Sequence, residues 1–307
     1  MNVQSLPIVS SGGSWMRHIT TCLGLLAVAG FAPALVAQET VDTPTVTNNY
    51  VLLTFEQKYD DLLDVYAPDA VFFDPTGDVF QGRISEGPVQ GAEQIIALQK
   101  SWGITGSWFD VAAAFTVGEY SLYRGTLTVS FESSDAETPI PFITVLRAQN
   151  GHITERTDFG EYIESFGLGD GFDANTEGTR ETAGRYLRAY LDEDLETQEE
   201  LLADGVQFQD PTSRVFGPPS GELYEGADNL LARREQIYAN IQDFDLEVEE
   251  SFVANHHAVY MGTIRYTLNS GTAFAQPAVI VIEVRDGMVT RHWDFVDYTV
   301  GPVESQD

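Results

Sequence analysis

The chain has 307 residues, 43% of them hydrophobic, which is enough for two ordinary domains with sizeable cores. Its 47 acidic residues against 16 basic ones give a formal charge of -31, a surface that repels phosphate backbones and anionic headgroups and argues against nucleic acid as a partner.

In chain order, the first feature is a targeting signal. Met16-Arg17-His18 supplies a short positive region, and an apolar stretch runs from Cys22 to Phe31. Ala32 to Ala37 then offers small residues where a signal peptidase reads, with cleavage after Ala37. Residues 1–37 are therefore expected to be a cleaved signal peptide, with Met16 as the more typical start, and the mature protein to be periplasmic or secreted and free of the membrane. The apolar core is short for a membrane span. An uncleaved anchor is the alternative. The single cysteine, Cys22, lies in this segment, so the mature chain is expected to have no disulfide, thiolate nucleophile or thiolate metal site.

The first unit, residues 45–167, opens with a helix from Tyr50 to Tyr59 and a short second helix around Leu62-Leu63 and Val65-Tyr66. A brief strand, Ala70 to Asp74, a loop rich in Gly and Pro, and a third helix, Ala92 to Lys100, follow. Residues 168–178, rich in Gly, Asp and Asn, read as a linker. The second unit, residues 179–302, repeats the plan: helices Arg180 to Leu191, Leu195 to Leu202 and Ala227 to Asn240, with a strand Val206 to Asp210 before the third. Four long strands close it: Phe244 to Val253, Ala258 to Leu268, Ala273 to Arg285 and Met288 to Val296. Gly151 and Asp286-Gly287 mark hairpin turns between the last two strands of each unit.

The units are copies of each other. Asp74-Pro75-Thr76 recurs as Asp210-Pro211-Thr212, Asp158-Phe159 as Asp294-Phe295 and Tyr162 as Tyr298, all at an offset of 136 residues. Gly91-Ala92 and Tyr123 to Thr126 recur at offsets of 135 and 137, as small loop insertions require. Helices first and antiparallel strands afterwards define an α+β class: two tandem cone-shaped domains, each with three N-terminal helices packed on a curved antiparallel sheet.

Strand alternation puts Val206, Phe208 and Asp210 on one face and Gln207 and Gln209 on the other, so the acid is on the apolar side; Ala70, Phe72 and Asp74 line up likewise. A carboxylate there has its charged form disfavoured, which suits a general base. The alternative is that Asp-Pro ends a strand and its side chain caps the next turn. On the last strand, His292 and Asp294 share a face, as Arg156 and Asp158 do in the first unit; a surface charge pair is the competing reading. His256-His257 is expected in a turn before a strand. Without a cysteine or HExxH spacing, no metal site or cofactor is expected.

Arg185 to Leu191, then Leu201 to Val206, then Asp210-Pro211 resembles the N-terminal half of bacterial ketosteroid isomerases, and Gly287 to Phe295 is similar to the last strand of SnoaL-like domains. More broadly, both copies resemble the nuclear transport factor two-like superfamily, which includes polyketide cyclases and limonene epoxide hydrolase. The resemblance implies Tyr186 and Tyr50 as oxyanion donors and Asp210 and Asp74 as bases, each pair 24 residues apart. It also implies, from the cyclases, acid/base roles for Asp294 and Asp158, with His292 beside the former. Core packing is the alternative for the tyrosines. The isomerases complete their oxyanion hole with a protonated aspartate on the third long strand; here that place falls near Thr144 and Ile280, and neither is an acid.

Three functions are open on this reading: a cofactor-independent isomerase, cyclase or hydrolase acting on a small hydrophobic molecule, a ligand-binding module without turnover, and a structural pair with filled pockets. The resemblance further implies a dimer-like pair within the chain or a homodimer.

Overall fold

A computed structural model of the chain describes residues 43–80, 87–132 and 134–303. The expected signal peptide, residues 1–37, lies outside the described residues. The first domain contains α1 (Thr43–Phe55), α2 (Tyr59–Val65), β1 (Tyr66–Phe73), a 3-10 turn (Pro75–Phe80), β2 (Val89–Gln90) and α3 (Ala92–Ser101). Its long strands are β3 (Ile104–Val117), β4 (Tyr120–Phe131), β5 (Ser134–Gln149) and β6 (His152–Gly160), followed by a short α4 (Tyr162–Phe166). The second contains α5 (Gly169–Leu191), α6 (Leu195–Leu201), β7 (Leu202–Gln209), a 3-10 turn (Pro211–Phe216), β8 (Tyr224–Glu225), α7 (Ala227–Tyr238), β9 (Ile241–Ala254), β10 (His257–Leu268), β11 (Ala273–Arg285) and β12 (Met288–Val296). No helix among the described residues is long and apolar enough to cross a membrane.

Each domain is a six-stranded sheet with its helices on one face, in the orders β2-β1-β6-β5-β4-β3 and β8-β7-β12-β11-β10-β9. The sheets are mixed rather than wholly antiparallel. β1 runs parallel to β6, and β7 parallel to β12, each pair joined by a long crossover through the third helix and three long strands of its domain. The hairpins follow the expected chemistry: Asn150-Gly151 and Asp286-Gly287 both have positive φ at each residue, as a two-residue loop of the I′ type demands. The glycine shared by the Tyr-x-Gly-Thr repeats also has a physical reason. At Gly125 and Gly262 a Cβ would fall 1.9 Å from the Asp110 carbonyl and 2.0 Å from the Glu247 carbonyl. Both sit beside register shifts that curve the long strands over the helices.

The segment 168–178, expected to be a linker, is helical and forms the first half of α5. Phe172, inside it, packs in an apolar cluster with Phe166 and Leu168, so tertiary contact overrides the low helix propensity of its glycines. The central strand β11 is buried on both faces over most of its length, whereas the edge strands β3 and β9 are largely exposed or half-buried. Along β11, Ala278, Ile280 and Ile282 join the core under the helices, while Val279 and Val281 join a second cluster. That second cluster draws Ile143, Val145 and Phe159 from the first sheet and Phe252, Val259 and Phe295 from the other, so the outer faces of the two sheets share one core. Around it, Arg214 Nη1 donates to Tyr120 Oη at 2.8 Å and Asn255 Nδ2 donates to Asp78 Oδ2 at 3.1 Å. In each case a 3-10 turn of one domain meets a hairpin end of the other.

Candidate functional site

Asp74 and Asp210 terminate β1 and β7 on the inner, apolar face, and both are buried. Their wiring is the same. Asp74 Oδ1 accepts from Thr76 Oγ1 at 2.7 Å and from the Gly77 amide at 2.9 Å; Asp210 Oδ1 accepts from Thr212 Oγ1 at 2.6 Å and from the Ser213 amide at 3.1 Å. Each carboxylate therefore caps its 3-10 turn. The threonine also accepts an amide from the far strand, Gly160 N at 2.8 Å or Val296 N at 2.9 Å, which ties the turn to β6 or β12. The second carboxylate oxygen accepts a tyrosine hydroxyl at 2.6 Å, from Tyr162 in one domain and Tyr298 in the other. The base and turn-cap readings are thus compatible: one oxygen holds the turn and the other faces a phenol. Burial pushes both carboxyls up to about 7, helped by the neighbouring charge of Asp158 or Asp294 and opposed by these hydrogen bonds.

The tyrosines of the first helices, expected as oxyanion donors, are bonded to side chains of their own cones. Tyr50 and Tyr186 are buried on the inner face, but their hydroxyls engage other groups than Asp74 and Asp210. Tyr50 Oη lies 2.6 Å from Tyr66 Oη and accepts from Arg156 Nη1 at 2.6 Å. Arg156 donates from Nε to Asp158 Oδ1 at 2.9 Å, and its Nη2 pairs with Asp158 Oδ2. Burial works against this guanidinium's charge, and the Asp158 carboxylate together with Tyr50 and Tyr66 outweighs it, holding Arg156 well above its ordinary value. So Arg156 and Asp158, two residues apart on β6, form a buried ion pair rather than a surface one.

The second domain answers the same problem with other residues. His292 stands where Arg156 does, and its Nε2 lies 2.7 Å from Asp294 Oδ1. Burial holds the imidazole below its ordinary pKa, so it is neutral at pH 7. The network assigns the proton to Nε2, donating to Asp294, which leaves Nδ1 to accept from Arg234 Nη2 at 2.8 Å. Arg234, on the buried stripe of α7 with Leu230, also donates to Tyr186 Oη at 2.5 Å and to the Gln198 side-chain oxygen. It lies over the rings of Tyr190 and Tyr186 at 4.6 and 5.1 Å. Tyr190 Oη donates to Asp294 Oδ2 at 3.0 Å. Each cone thus carries one central guanidinium, delivered by the last strand in the first domain and by the third helix in the second. At the position of Arg234 the first domain has Gln99, buried, with neither amide atom bonded to another described residue.

Thr144 and Ile280 lie directly across the ladder from Asp158 and Asp294. The acid of each inner wall is therefore one strand over from the isomerase position. Of the residues that carry this site, Arg234, Tyr66 and Tyr190 were not singled out by sequence reasoning. Arg234 was findable as a charge four residues after Leu230 on the buried face of α7. Tyr162 and Tyr298 had surfaced only as repeat markers. His257 is the first residue of β10 rather than a turn residue; burial pushes its imidazole down to about 3. Among the described residues no three His, Cys, Asp or Glu side chains converge as metal ligands.

With this fold and these inner walls, the chain is an α+β protein of two tandem cone domains. The SnoaL-like domain family model matches it twice, over residues 49–156 and 183–292, which is well over half of its length, and the chain belongs to that family. No curated protein matches. Among solved structures, a putative ketosteroid isomerase from Kribbella flavida is 25% identical, with 43% of this chain and 87% of that one covered and a TM-score of 0.33. A putative SnoaL-like polyketide cyclase from Shewanella denitrificans is 23% identical over 41% of this chain and 93% of that one, with a TM-score of 0.35. An epoxide hydrolase from M. tuberculosis described as LEH-like is 15% identical over 41% and 87%, also with a TM-score of 0.35.

Proposed function

We propose that this protein acts outside the cytoplasm, after loss of residues 1–37, as a cofactor-independent acid–base enzyme on a small hydrophobic molecule. The observation that carries the reading is the buried carboxyl of Asp210, repeated in Asp74, raised to about 7 on an apolar wall and held 2.6 Å from a tyrosine hydroxyl. Such a group gives and takes a proton at neutral pH. The carboxylate removes a proton beside a carbonyl, or from a water or hydroxyl that adds to the ligand, and returns it later in the cycle. A proton arriving on the aspartate releases the Tyr298 hydroxyl to donate toward the ligand oxygen. Thr144 and Ile280 supply no acidic donor for an enolate, a loss worth about 3 kcal/mol at an oxyanion hole, so ring closure, hydration or an undemanding isomerisation fits better than steroid isomerisation.

A structural pair with filled pockets is the second reading. What favours it is the filling of each cone centre by Arg156 with Tyr50 and Tyr66, or by Arg234 with Tyr186 and Tyr190. The test is titration of the chain from Gln38 onward with a fluorescent naphthol between pH 5 and 9, comparing Asp210→Asn and Asp74→Asn. The reading expects the affinity to change near pH 7 and one variant to lose that step. No binding, or the same pH profile in all three proteins, overturns it.

A further inference from the structure

The two cones are closed to different degrees. In the first domain the chain leaving β6 turns into α4 and then α5, and it lays Phe166, Leu168 and Phe172 against Tyr162, Phe80 and Phe131. Phe80 meets Tyr162 at 5.2 Å and Phe166 at 5.5 Å, and Phe166 meets Tyr162 at 6.5 Å, so the tyrosine that bonds Asp74 is covered by two further rings. In the second domain the Phe80 contact has a counterpart and the Phe166 contact has none among the described residues. Phe216, the counterpart of Phe80, meets Tyr298 at 4.9 Å but is 55% exposed, and Val215 is 46% exposed where Val79 is 4%. Residues 297–303, after β12, do not form a helix. They run beside the start of β11, where the Val303 amide bonds to the Ala273 carbonyl and Val300 accepts from Gln276. Tyr266 and Phe274 stack at 5.1 Å nearby, and the Tyr266 hydroxyl donates at 3.1 Å to Gln276, the side chain that bonds Val300.

We infer that the copies have divided their work: the second cone takes the ligand, through a mouth rimmed by Phe216, Tyr298, Tyr266 and Phe274, and the first is sealed by its own connecting segment. The ligand class is a flat apolar molecule with one hydrogen-bonding oxygen, since ring faces line the rim and Asp210 with Tyr298 stands behind it. This rests on the reading of Asp210 above, and it adds a stoichiometry of one per chain.

Two measurements test it. Hydroxyl-radical footprinting of the ligand-free protein should oxidise Phe216 and Tyr298 several-fold faster than Phe80 and Tyr162; equal rates overturn the division whether or not any ligand binds. Calorimetric titration with the naphthol should give one equivalent per chain, with the affinity altered several-fold more in Asp210→Asn than in Asp74→Asn. The Phe166→Ala/Phe172→Ala variant, which unroofs Tyr162, should admit a second equivalent. Two equivalents in the wild type, or an Asp74→Asn shift equal to that of Asp210→Asn, overturns the division and leaves the acid–base reading standing. Absence of binding together with the unequal footprint overturns the acid–base reading and leaves the open second cone.

Discussion

Replacing Asp210 by Asn should make the protein more stable at high pH and leave it nearly unchanged at low pH. The carboxyl is raised from 3.8 to about 7 in the folded chain. Below the unfolded value both states hold the proton, and the group is neutral to stability. As pH rises from about 4 to 7 the unfolded chain releases its proton while the folded one keeps it, so the folded state binds more protons and stability falls. Above about 7 both states are ionised and the loss is complete. At 1.36 kcal/mol per pKa unit, the shift corresponds to a loss on the order of 2–4 kcal/mol across that window. Asparagine keeps an acceptor for Thr212 and Ser213 and offers its amide to Tyr298, with no charge to desolvate. The assay is urea unfolding of wild type and variant at pH 5 and 8.5. The surface charge of -31 repels itself more at high pH in both proteins and cancels in the comparison. The variant's advantage should grow by about 2–3 kcal/mol between pH 5 and pH 8.5, the part of the window those two measurements span. An advantage that is constant with pH, or that shrinks, refutes the placement of a protonated carboxyl at the end of β7.

The buried ion pair of the first cone should be asymmetric under mutation. Arg156→Leu leaves the Asp158 carboxylate without its partner and should cost about 3–5 kcal/mol, whereas Arg156→Leu/Asp158→Leu should recover most of that loss in the same unfolding assay. Gln99→Leu exchanges a buried amide that bonds to no described residue for an apolar group of similar size, and should stabilise the protein by roughly 1–2 kcal/mol, read as a raised thermal midpoint.

The architecture was legible because its signals are periodic and local. The offset of 136 residues, the alternation of Val206, Phe208 and Asp210, and the Asp286-Gly287 turn each carry their meaning in a few residues. The inner wall was legible only in part. Strand alternation put His292 with Asp294 and Arg156 with Asp158, and the structure joins both pairs. What alternation within one strand does not contain is which residue arrives from another element. The resemblance implied Tyr186 as a donor to a ligand oxygen, and the residue that bonds its hydroxyl, Arg234, arrives from α7. The helix over 169–178 was illegible for the same reason. Its glycines disfavour a helix locally, and the contact that fixes Phe172 comes from α4 and the first domain's core.

The two domains show what the fold holds constant and what it lets vary. The elements that shape the cone end are kept residue for residue: Asp-Pro-Thr, the tyrosine 88 residues after the aspartate, and the amide of the last strand that bonds the threonine. The central cation is kept only in kind. A guanidinium from β6 is replaced by one from α7, and the strand position it vacates is filled by an imidazole that relays between Arg234 and Asp294. Such an exchange needs the helix and the strand to change together. An arginine at both positions would bury two like charges against one aspartate, while an arginine at neither would leave that aspartate unpaired. Conservation of the charge but not of its source indicates that the requirement comes from the buried aspartates. Asp158 and Asp294 need a donor network to stay in the wall, and their charges in turn help keep a proton on Asp74 and Asp210. The cation in each cone therefore serves the proton-holding carboxyl through the aspartate between them, whichever element delivers it.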